Sequence, residues 1–329
     1  MSIELGGQVS ARRHYHPGAW KGALMVLVAG SANLDFVVRA AHIPGPGETV
    51  LGGDFKTYPG GKGANQAAAC SRAGGVATHM LAALGTDAYA VPIEASLAAA
   101  GVVLHAVRVA DQATGTAFIC VSDDAENAIT VAPGANQCLT PAHLASTGLP
   151  PLAGFSHLLM PLETPLATVA AYAHAAHALG VTVVLNAAPA QALPADLLAD
   201  VDILIVNEGE LAALAGPTGD VDAQLARIAV PTVVVTLGGR GCLARSGQHR
   251  LSQPAFAVTP VDTTGAGDTF CGTLVAALSR GLTLAEALRQ ASAAAALACT
   301  KMGAQSSIPT AAEVADFLAQ TNPNPTQSP

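Results

Sequence analysis

The sequence predicts an α/β fold: a three-layer sandwich with a central, mostly parallel sheet flanked by helices, plus a small antiparallel β sheet. Apolar runs alternate with alanine- and leucine-rich helical runs over most of the chain, and this order is typical of a parallel sheet covered on both faces. Two other segments break the alternation with short extended runs. The 329 residues and the 51% hydrophobic content suffice for a sizeable core.

The elements of the main sheet follow in chain order. The strand candidates are short apolar runs: Leu24–Ala29, His157–Met160, Thr182–Leu185, Ile203–Val206 and Thr232–Thr236. The helix candidates are runs of helix-forming residues: Asn65–Arg72, Pro165–Leu179, Glu208–Leu214, Gly267–Ser279 and Leu284–Thr300. Ligands of such sheets bind at the carboxyl ends of the strands, so polar residues after each strand are the first candidates for a site.

The small sheet is predicted from the two segments that interrupt this order. Phe36–Tyr58 is rich in proline and glycine, and Thr116–Ser122 and Asn127–Val131 flank the acidic turn Asp123–Glu126. Short strands bounded by such turns favour antiparallel pairing beside the main domain. No interdomain linker and no internal repeat interrupts the chain.

Composition limits the partners. The formal charge is −8 and no basic stripe is present, which argues against nucleic-acid binding. The six cysteines form no C-x-x-C pair and are expected as buried free thiols of a reducing cytoplasm. No apolar run reaches the ~18 residues of a membrane span, and Ala23–Gly30 is expected as a buried strand rather than a leader. Loose tails are expected at residues 1–22 and 321–329, around a domain at residues 23–320.

The first chemical motif is the glycine-rich segment Gly60–Gln66, GGKGANQ. Adjacent glycines let the backbone approach a ligand, and a helix is predicted to begin just after them. Lys62 and Asn65 can hydrogen-bond to hydroxyl groups. The motif is not a Walker A sequence, and by itself it is also compatible with an ordinary turn.

The second motif is Asp262–Phe270, DTTGAGDTF, which leads into an apolar helix. Small residues at a helix start allow consecutive amides to converge on an anionic oxygen. Asp268 at that position can take a proton from a hydroxyl, so this motif has the two parts that phosphoryl transfer needs. The alternative is that Asp268 only caps the helix.

Polar residues at strand ends supply further candidates. Asn207–Glu210 follows a strand and can organise Mg²⁺ and its waters, or simply cap the next helix. Thr236–Gly241 suits a nucleotide, or a plain hairpin turn into Cys242–Arg245. Asn33 and Asp35 share one face if their strand continues, and Glu163 follows another strand, so the three can grip a polyol.

With these motifs, the chain resembles the ribokinase-like (PfkB) family of carbohydrate and nucleoside kinases, from about Met25 to Leu318. The two glycine loops are similar to the two signatures of that family. Further matches favour its ribokinase branch and comprise Pro46–Thr49, Gly60–Gln66, Leu185–Ala190 and Gly303–Gln305. The resemblance implies that segments at about 34–60 and 114–132 form a β lid through which two subunits form a homodimer.

The resemblance also implies a role for each matching residue. Asp268 is the expected base, and the amides of Gly265, Ala266 and Gly267 are the expected anion hole. The expected sugar ligands are Asn33, Asp35, Gly61, Lys62, Gly63, Asn65 and Glu163, together with Asp268. The expected nucleotide site comprises Asn207, Thr236, Gly238, Gly239, Gly241, Gly267 and Ser292. Glu210 is expected to hold Mg²⁺ through water. A monovalent cation, K⁺, is expected at Asp262, Thr264, Ala298, Lys301, Gly303 and Ser307.

The expected reaction is phosphorylation of D-ribose by ATP in the cytoplasm, with Mg²⁺ and K⁺ as cofactors. Within the same family the alternatives are a fructokinase, a deoxyribokinase or a nucleoside kinase, and a non-catalytic sugar-binding regulator is a further alternative. A dinucleotide-binding dehydrogenase does not fit, because Gly30 is followed by Ser-Ala-Asn-Leu-Asp and not by G-x-G-x-x-G spacing.

Overall fold

The computed structural model describes residues 25–124, 126–146 and 148–321. The predicted tails, apart from Thr321, lie outside the described residues, as does Leu24 of the first predicted strand. Within the described ranges no helix is long and apolar enough to cross a membrane.

Thirteen strands are formed by the described residues. In chain order they are β1 (Met25–Ala29), β2 (Asn33–Arg39), β3 (Phe55–Gly60), β4 (Ala77–Gly85), β5 (Val102–Val109), β6 (Gly115–Val121), β7 (Asn127–Ala132), β8 (His157–Met160), β9 (Thr182–Asn186), β10 (Ile203–Asn207), β11 (Thr232–Thr236), β12 (Cys242–Ser246) and β13 (His249–Gln253). All strands predicted for the main sheet are present in it.

The helices of the described ranges are α1 (Lys62–Arg72), α2 (Ala90–Ala99), α3 (His143–Ser146), α4 (Leu166–Ala178), α5 (Ala195–Ala199), α6 (Glu208–Ala215), α7 (Val221–Arg227), α8 (Ala266–Ser279), α9 (Leu284–Ala298) and α10 (Ala311–Gln320). The five predicted helices are confirmed. One boundary was wrong: α1 begins at Lys62 and not at Asn65, because Gly61, with a φ of 88°, already turns the chain into the helix.

The large sheet has the order β13-β12-β11-β10-β9-β8-β1-β4-β5. The strands from β11 to β5 run parallel, and β12 and β13 are antiparallel at one edge. The small sheet has the order β3-β2-β6-β7; its outer pairs are antiparallel, and the central pair β2–β6 is parallel. The predicted fold class is therefore confirmed.

Three strands of the large sheet, β4, β5 and β13, were not predicted, and β12 was expected only as the segment that follows a hairpin turn. The β4 sequence ATHMLAALG is rich in alanine and leucine and shows no strict alternation, because most of its residues are buried on both faces of the sheet. Its strand identity comes from pairing with β1 and β5. Local propensity therefore did not reveal it.

Side chains of β1 show how helices cover both faces. Val26 and Val28 belong to the core cluster that includes residues of α1 and α8, whereas Leu27 and Ala29 belong to the cluster that includes residues of α4. The contact between α1 and α8 is close. A side chain on Gly272 of α8 would collide with the carbonyl of Gln66 and the methyl of Ala69 on α1. This contact sets the start of α8 against the start of α1.

Candidate active site

Asp268 lies in the first turn of α8, one turn before the close contact with α1. Its side chain is 9% exposed. Its Oδ2 accepts a hydrogen bond from Asn65 Nδ2, and its Oδ1 accepts one from Gln66 Nε2, each at 2.9 Å. The helix cap is Gly265, so the alternative role of Asp268 as a cap is wrong. The carboxylate is instead shared by the two glycine loops.

The start of α8 has the form expected of an anion site. Gly265 adopts the left-handed conformation, with a φ of 73°. A side-chain carbon on Gly267 would meet no other atom within 4 Å, so this residue borders open space. The Ala266 amide donates to the Thr263 carbonyl at 3.2 Å. The other amides of the first turn have no partner within the helix and can bind anionic oxygens.

Glu163 connects the loop after β8 to the start of α1. Its Oε2 accepts hydrogen bonds from the Ser31 hydroxyl at 2.5 Å and from the Lys62 amide at 3.0 Å. Gly61 and Gly63 pack too close to the backbone of Ala32–Asn33 and Gly30–Ser31 for any side chain. Asn33 and Asp35 alternate along β2 and share a face, as predicted. Apart from Asp268 on α8, the predicted sugar ligands thus lie on β2, at the start of α1 and after β8.

Two buried oxygens of this set have no hydrogen-bond partner in the described chain. They are Asp35 Oδ1 and Asn65 Oδ1. A buried acceptor without a donor costs free energy, about 1–3 kcal/mol each. Hydroxyl groups of a bound molecule would supply the missing donors. Two buried acceptors without a donor, close to Asp268, fit a polyol.

The carboxylates of the site act on each other's protonation. Burial, together with the nearby carboxylates Glu163 and Asp268, raises the pKa of Asp35 to about 7. Burial opposes the charge of Lys62, but Asp268, Glu163 and Glu210 together hold the pKa of its ammonium group above the ordinary value. Lys62 therefore remains a cation among carboxylates.

The residues after β10 form a capping box. Asn207 Oδ1 accepts from the Glu210 amide, and Glu210 Oε2 accepts from the Asn207 amide, both at 2.8 Å. The predicted capping role is therefore real. Burial raises the pKa of Glu210, which also interacts electrostatically with Lys62 and Asp268. The side-chain oxygens of Asn207 and Glu210 are of the type that binds a hard cation such as Mg²⁺.

The loop after β11 is a 3₁₀ turn at Gly238–Arg240 that leads into β12. Added side-chain carbons on Gly238 or Gly239 would meet no atom within 4 Å, so both border open space. Gly241, with a φ of 94°, packs against the backbone of Gln253. Ser292 of α9 is buried, with its hydroxyl 3.8 Å from Cys242 Sγ. Thr236 closes β11 and lies at 3.4 Å from the Val206 carbonyl.

The predicted cation residues join two loops. Asp262 Oδ1 accepts from the Thr264 amide at 2.9 Å, and its Oδ2 accepts from the Gly303 amide at 2.8 Å. Burial opposes ionisation of Asp262, but these two amides lower its pKa below the ordinary value. The Ser307 hydroxyl donates to the Ala304 carbonyl at 2.8 Å.

Two further residues of this set, Ala298 and Lys301, meet at the end of α9, where the Lys301 amide donates to the Ala298 carbonyl at 3.2 Å. Lys301 Nζ pairs with Glu313 at 2.9 Å, so only its backbone can face a cation. Oxygen atoms dominate this set, which fits a hard monovalent cation. Among the described residues no cluster of three or more His, Cys, Asp or Glu side chains forms a metal site.

Sequence reasoning missed three buried amides that hold the site together. Asn136, in a 3₁₀ turn after β7, donates from Nδ2 to Asn33 Oδ1 at 2.7 Å, and its Oδ1 accepts from the Ala32 amide at 3.0 Å. Gln66 and Asn186 are bonded to each other at 2.9 Å. Two of the three had a signal in the sequence: Gln66 belongs to the first glycine motif, and Asn186 lies at a strand end. Asn136 had none.

Comparison with known proteins shows the family of this chain. A sequence model of the pfkB family of carbohydrate kinases matches residues 23–311. The chain belongs to that family. A ribokinase of Haemophilus influenzae is 39% identical over 300 residues, which cover 88% of this chain and 97% of that protein. A ribokinase of Bacillus subtilis is 37% identical over 295 residues, covering 89% and 99%.

A solved structure has the same fold as this PfkB-family chain. The structure of Arabidopsis thaliana ribokinase complexed with ribose and ATP matches with a TM-score of 0.83 and 34% identity. The match covers 90% of this chain and 99% of that one. The predicted family, and its ribokinase-like fold, are confirmed.

Proposed function

We propose that this chain is an ATP-dependent ribose kinase, which transfers the γ-phosphoryl group of ATP to the 5-hydroxyl of D-ribose and releases ADP. The hydrogen bond from Asn65 to Asp268 carries the proposal. It places the first glycine loop, which suits hydroxyl groups, against the carboxylate at the anion-binding start of α8. An acceptor hydroxyl and a phosphoryl group therefore have one common space.

In the proposed reaction, Asp268 takes the proton of the attacking hydroxyl as the new bond to the γ-phosphorus forms. The bond from the γ-phosphorus to the bridging oxygen of ADP breaks at the same time. The amides of Gly265 and Gly267 hold the charge that develops on the transferring group. Lys62 lies among the carboxylates with its ammonium charged and lowers the local negative potential.

The sugar is proposed to bind through the two acceptors without partners. Asp35 Oδ1 and Asn65 Oδ1 would accept from its hydroxyl groups. Asn33 offers its Nδ2, because Asn136 occupies its oxygen. Two acceptors and one donor suit a molecule with several hydroxyls.

Two cations are part of the proposal. Asn207 and Glu210 would hold Mg²⁺ through water, and Mg²⁺ bound with ATP neutralises phosphate charge. Asp262, Ser307 and the backbone around them would hold K⁺.

The loop that contains Gly303 and Ala304 also supports the proposed anion hole. The Cα of Ala304 lies only 3.0 Å from the position that a side-chain carbon on Gly265 would take.

We also infer a homodimer that forms through the small sheet. Large apolar side chains are exposed on both of its faces: Phe55 at 61% and Phe118 at 53% on one, Ile129 at 55% and Val131 on the other. Exposed apolar surface of this kind marks a protein contact. Phe118→Ser and Ile129→Ser, compared by light scattering, test which face forms the dimer; a monomeric wild-type protein contradicts it.

The kinase proposal is tested by ADP release with Mg²⁺ and K⁺ present. D-Ribose should give the highest kcat/KM among D-ribose, 2-deoxy-D-ribose, D-fructose and adenosine. Asp268→Asn should remove turnover and leave ribose binding, measured by calorimetry, nearly unchanged. Turnover of another sugar in preference to ribose would assign the chain to that sugar, and wild-type activity of Asp268→Asn would refute the base.

A further inference from the structure

Two buried side chains, Asn186 and Gln66, connect the backbone of β10 to Asp268 by hydrogen bonds. Asn186 Nδ2 donates to the Ile205 carbonyl at 3.1 Å. Gln66 Nε2 donates to Asn186 Oδ1 and to Asp268 Oδ1, each at 2.9 Å. Gln66 is fully buried, and Asn186 is 7% exposed. Neither Asn186 nor Gln66 is among the predicted site residues, whereas Asp268 is.

The direction of every hydrogen bond from β10 to Asp268 follows from the backbone. A carbonyl can only accept, so Asn186 must turn its NH₂ group toward Ile205 and its oxygen toward Gln66. Gln66 must then present its NH₂ group to that oxygen. The same NH₂ group has a second hydrogen, and this hydrogen bonds to Asp268. The amide of Gln66 thus has one orientation, set by β10.

As a result, the two carboxylate oxygens of Asp268 differ in their hydrogen-bond donors and in their surroundings. Oδ1 is held by Gln66, which has no exposed surface. Oδ2 is held by Asn65, whose own oxygen has no partner in the described chain and borders the proposed sugar position. The torsion that turns a carboxylate about its bond to Cβ is soft, so an aspartate needs such contacts to keep one orientation.

We propose that Gln66 is a positioning residue for phosphoryl transfer: it holds Oδ1 of Asp268 inward, so that Oδ2 faces the acceptor hydroxyl. This inference rests on the proposed function of Asp268 as the base. Gln66 touches neither substrate and acts only through the carboxylate. Asn186 has the supporting role of keeping the Gln66 amide in register.

The first test is Gln66→Met, which keeps the side-chain length and removes the donor. We expect the phosphoryl-transfer rate in single turnovers to fall about 10- to 100-fold, because small displacements of a catalytic group have effects of this size. The KM and the calorimetric Kd for ribose should stay within about twofold, since Gln66 does not contact the sugar. An unchanged rate, or a loss of ribose binding equal to the loss in rate, overturns the proposal.

The matched control is Gln224→Met on α7. Gln224 is also buried, and its side-chain Nε2 donates a hydrogen bond to the Gly219 carbonyl at 3.5 Å. This variant should lose stability without losing rate. If Gln66→Met does not fold, Asn186→Ala takes its place; it removes the anchor of Gln66 but no contact of Asp268, and a smaller fall in rate at constant KM is expected. An unchanged rate in Asn186→Ala overturns the proposal.

A double mutant separates this inference from the proposed function. If Gln66 acts only through Asp268, Gln66→Met should not lower the residual rate of Asp268→Asn any further. An equal fall in both backgrounds means that Gln66 acts elsewhere, and the inference fails while the proposed base stands. Wild-type activity of Asp268→Asn alone removes the base itself.

Discussion

Ala304 lies directly behind Gly265. Its Cα is 3.0 Å from the position that a side-chain carbon on Gly265 would take, and Gly265 has a φ of 73°. The turn at the start of α8, which is proposed to bind anionic oxygens, therefore rests on the loop that Asp262 anchors through the Gly303 amide. Substitutions at the two glycines of this turn should have different consequences.

Gly265→Ala should lower the free energy of unfolding by about 1–3 kcal/mol, because it combines left-handed strain with a clash against Ala304. It should also abolish turnover. Gly281→Ala is the matched control: its φ is 83° and its side-chain carbon would meet nothing within 4 Å. The control should lose some stability in thermal denaturation and keep its full kcat.

Gly267→Ala should leave the melting temperature nearly unchanged, because its new methyl group enters open space. That space is where the transferring phosphoryl group is proposed to lie. We expect kcat to fall by at least about tenfold, or about 1.4 kcal/mol of transition-state stabilisation. Retention of full kcat with an intact fold would mean that the phosphoryl group lies elsewhere.

Ribose affinity should weaken as the pH falls through about 7. The pKa of Asp35 is about 7, raised by burial and by Glu163 and Asp268. Below that pH Asp35 is protonated, and its Oδ1 can no longer serve as an ionised acceptor for a hydroxyl. Calorimetric titrations between pH 6 and 8 measure this, and Asp35→Asn should bind weakly with no such pH dependence.

The same shift affects stability. The folded-state pKa of Asp35 is above its ordinary value of 3.8, so its protonated form favours the native state. This contribution is complete below pH ~4 and is lost as the pH rises toward about 7. Asp35→Asn should therefore gain stability relative to the wild type over this range, in urea unfolding at a series of pH values. A constant difference from pH 4 to 8 contradicts the shift.

Asn136→Leu should raise the KM for ribose about tenfold or more, since it releases Asn33 and leaves the Ala32 amide without its buried acceptor. The rate of phosphoryl transfer at saturating ribose should change much less. Initial-rate measurements over a wide ribose range separate the two effects. A fall in kcat at unchanged KM would place Asn136 with the chemistry and not with the sugar.

Replacing K⁺ by a bulky organic cation should lower kcat in the wild-type protein. Asp262→Ala should have a low kcat that no longer responds to K⁺, because it loses both the anionic ligand and the bonds to Thr264 and Gly303. Lys301→Ala is a suitable control, because only its backbone can face the cation. A normal response to K⁺ in Asp262→Ala would exclude this site.

The sequence by itself determined the family, the fold class and the positions of both glycine loops. These features are local, because a short run of consecutive residues specifies each of them. Examples are the helix start at Gly265 and the strand end that places Asn207 before Glu210. Their hydrogen-bond patterns follow from backbone geometry, so a short motif suffices to predict them.

The tertiary structure alone decided which side chains hold Asp268 and Asn33. Gln66 and Asp268 are 202 residues apart, and Asn136 and Asn33 are 103 apart. Their contacts depend on the packing of α1 against α8 and of the turn after β7 against β2, and no local pattern specifies that packing. The strand β4 shows the same limit, since its buried, unalternating sequence becomes a strand only through its neighbours.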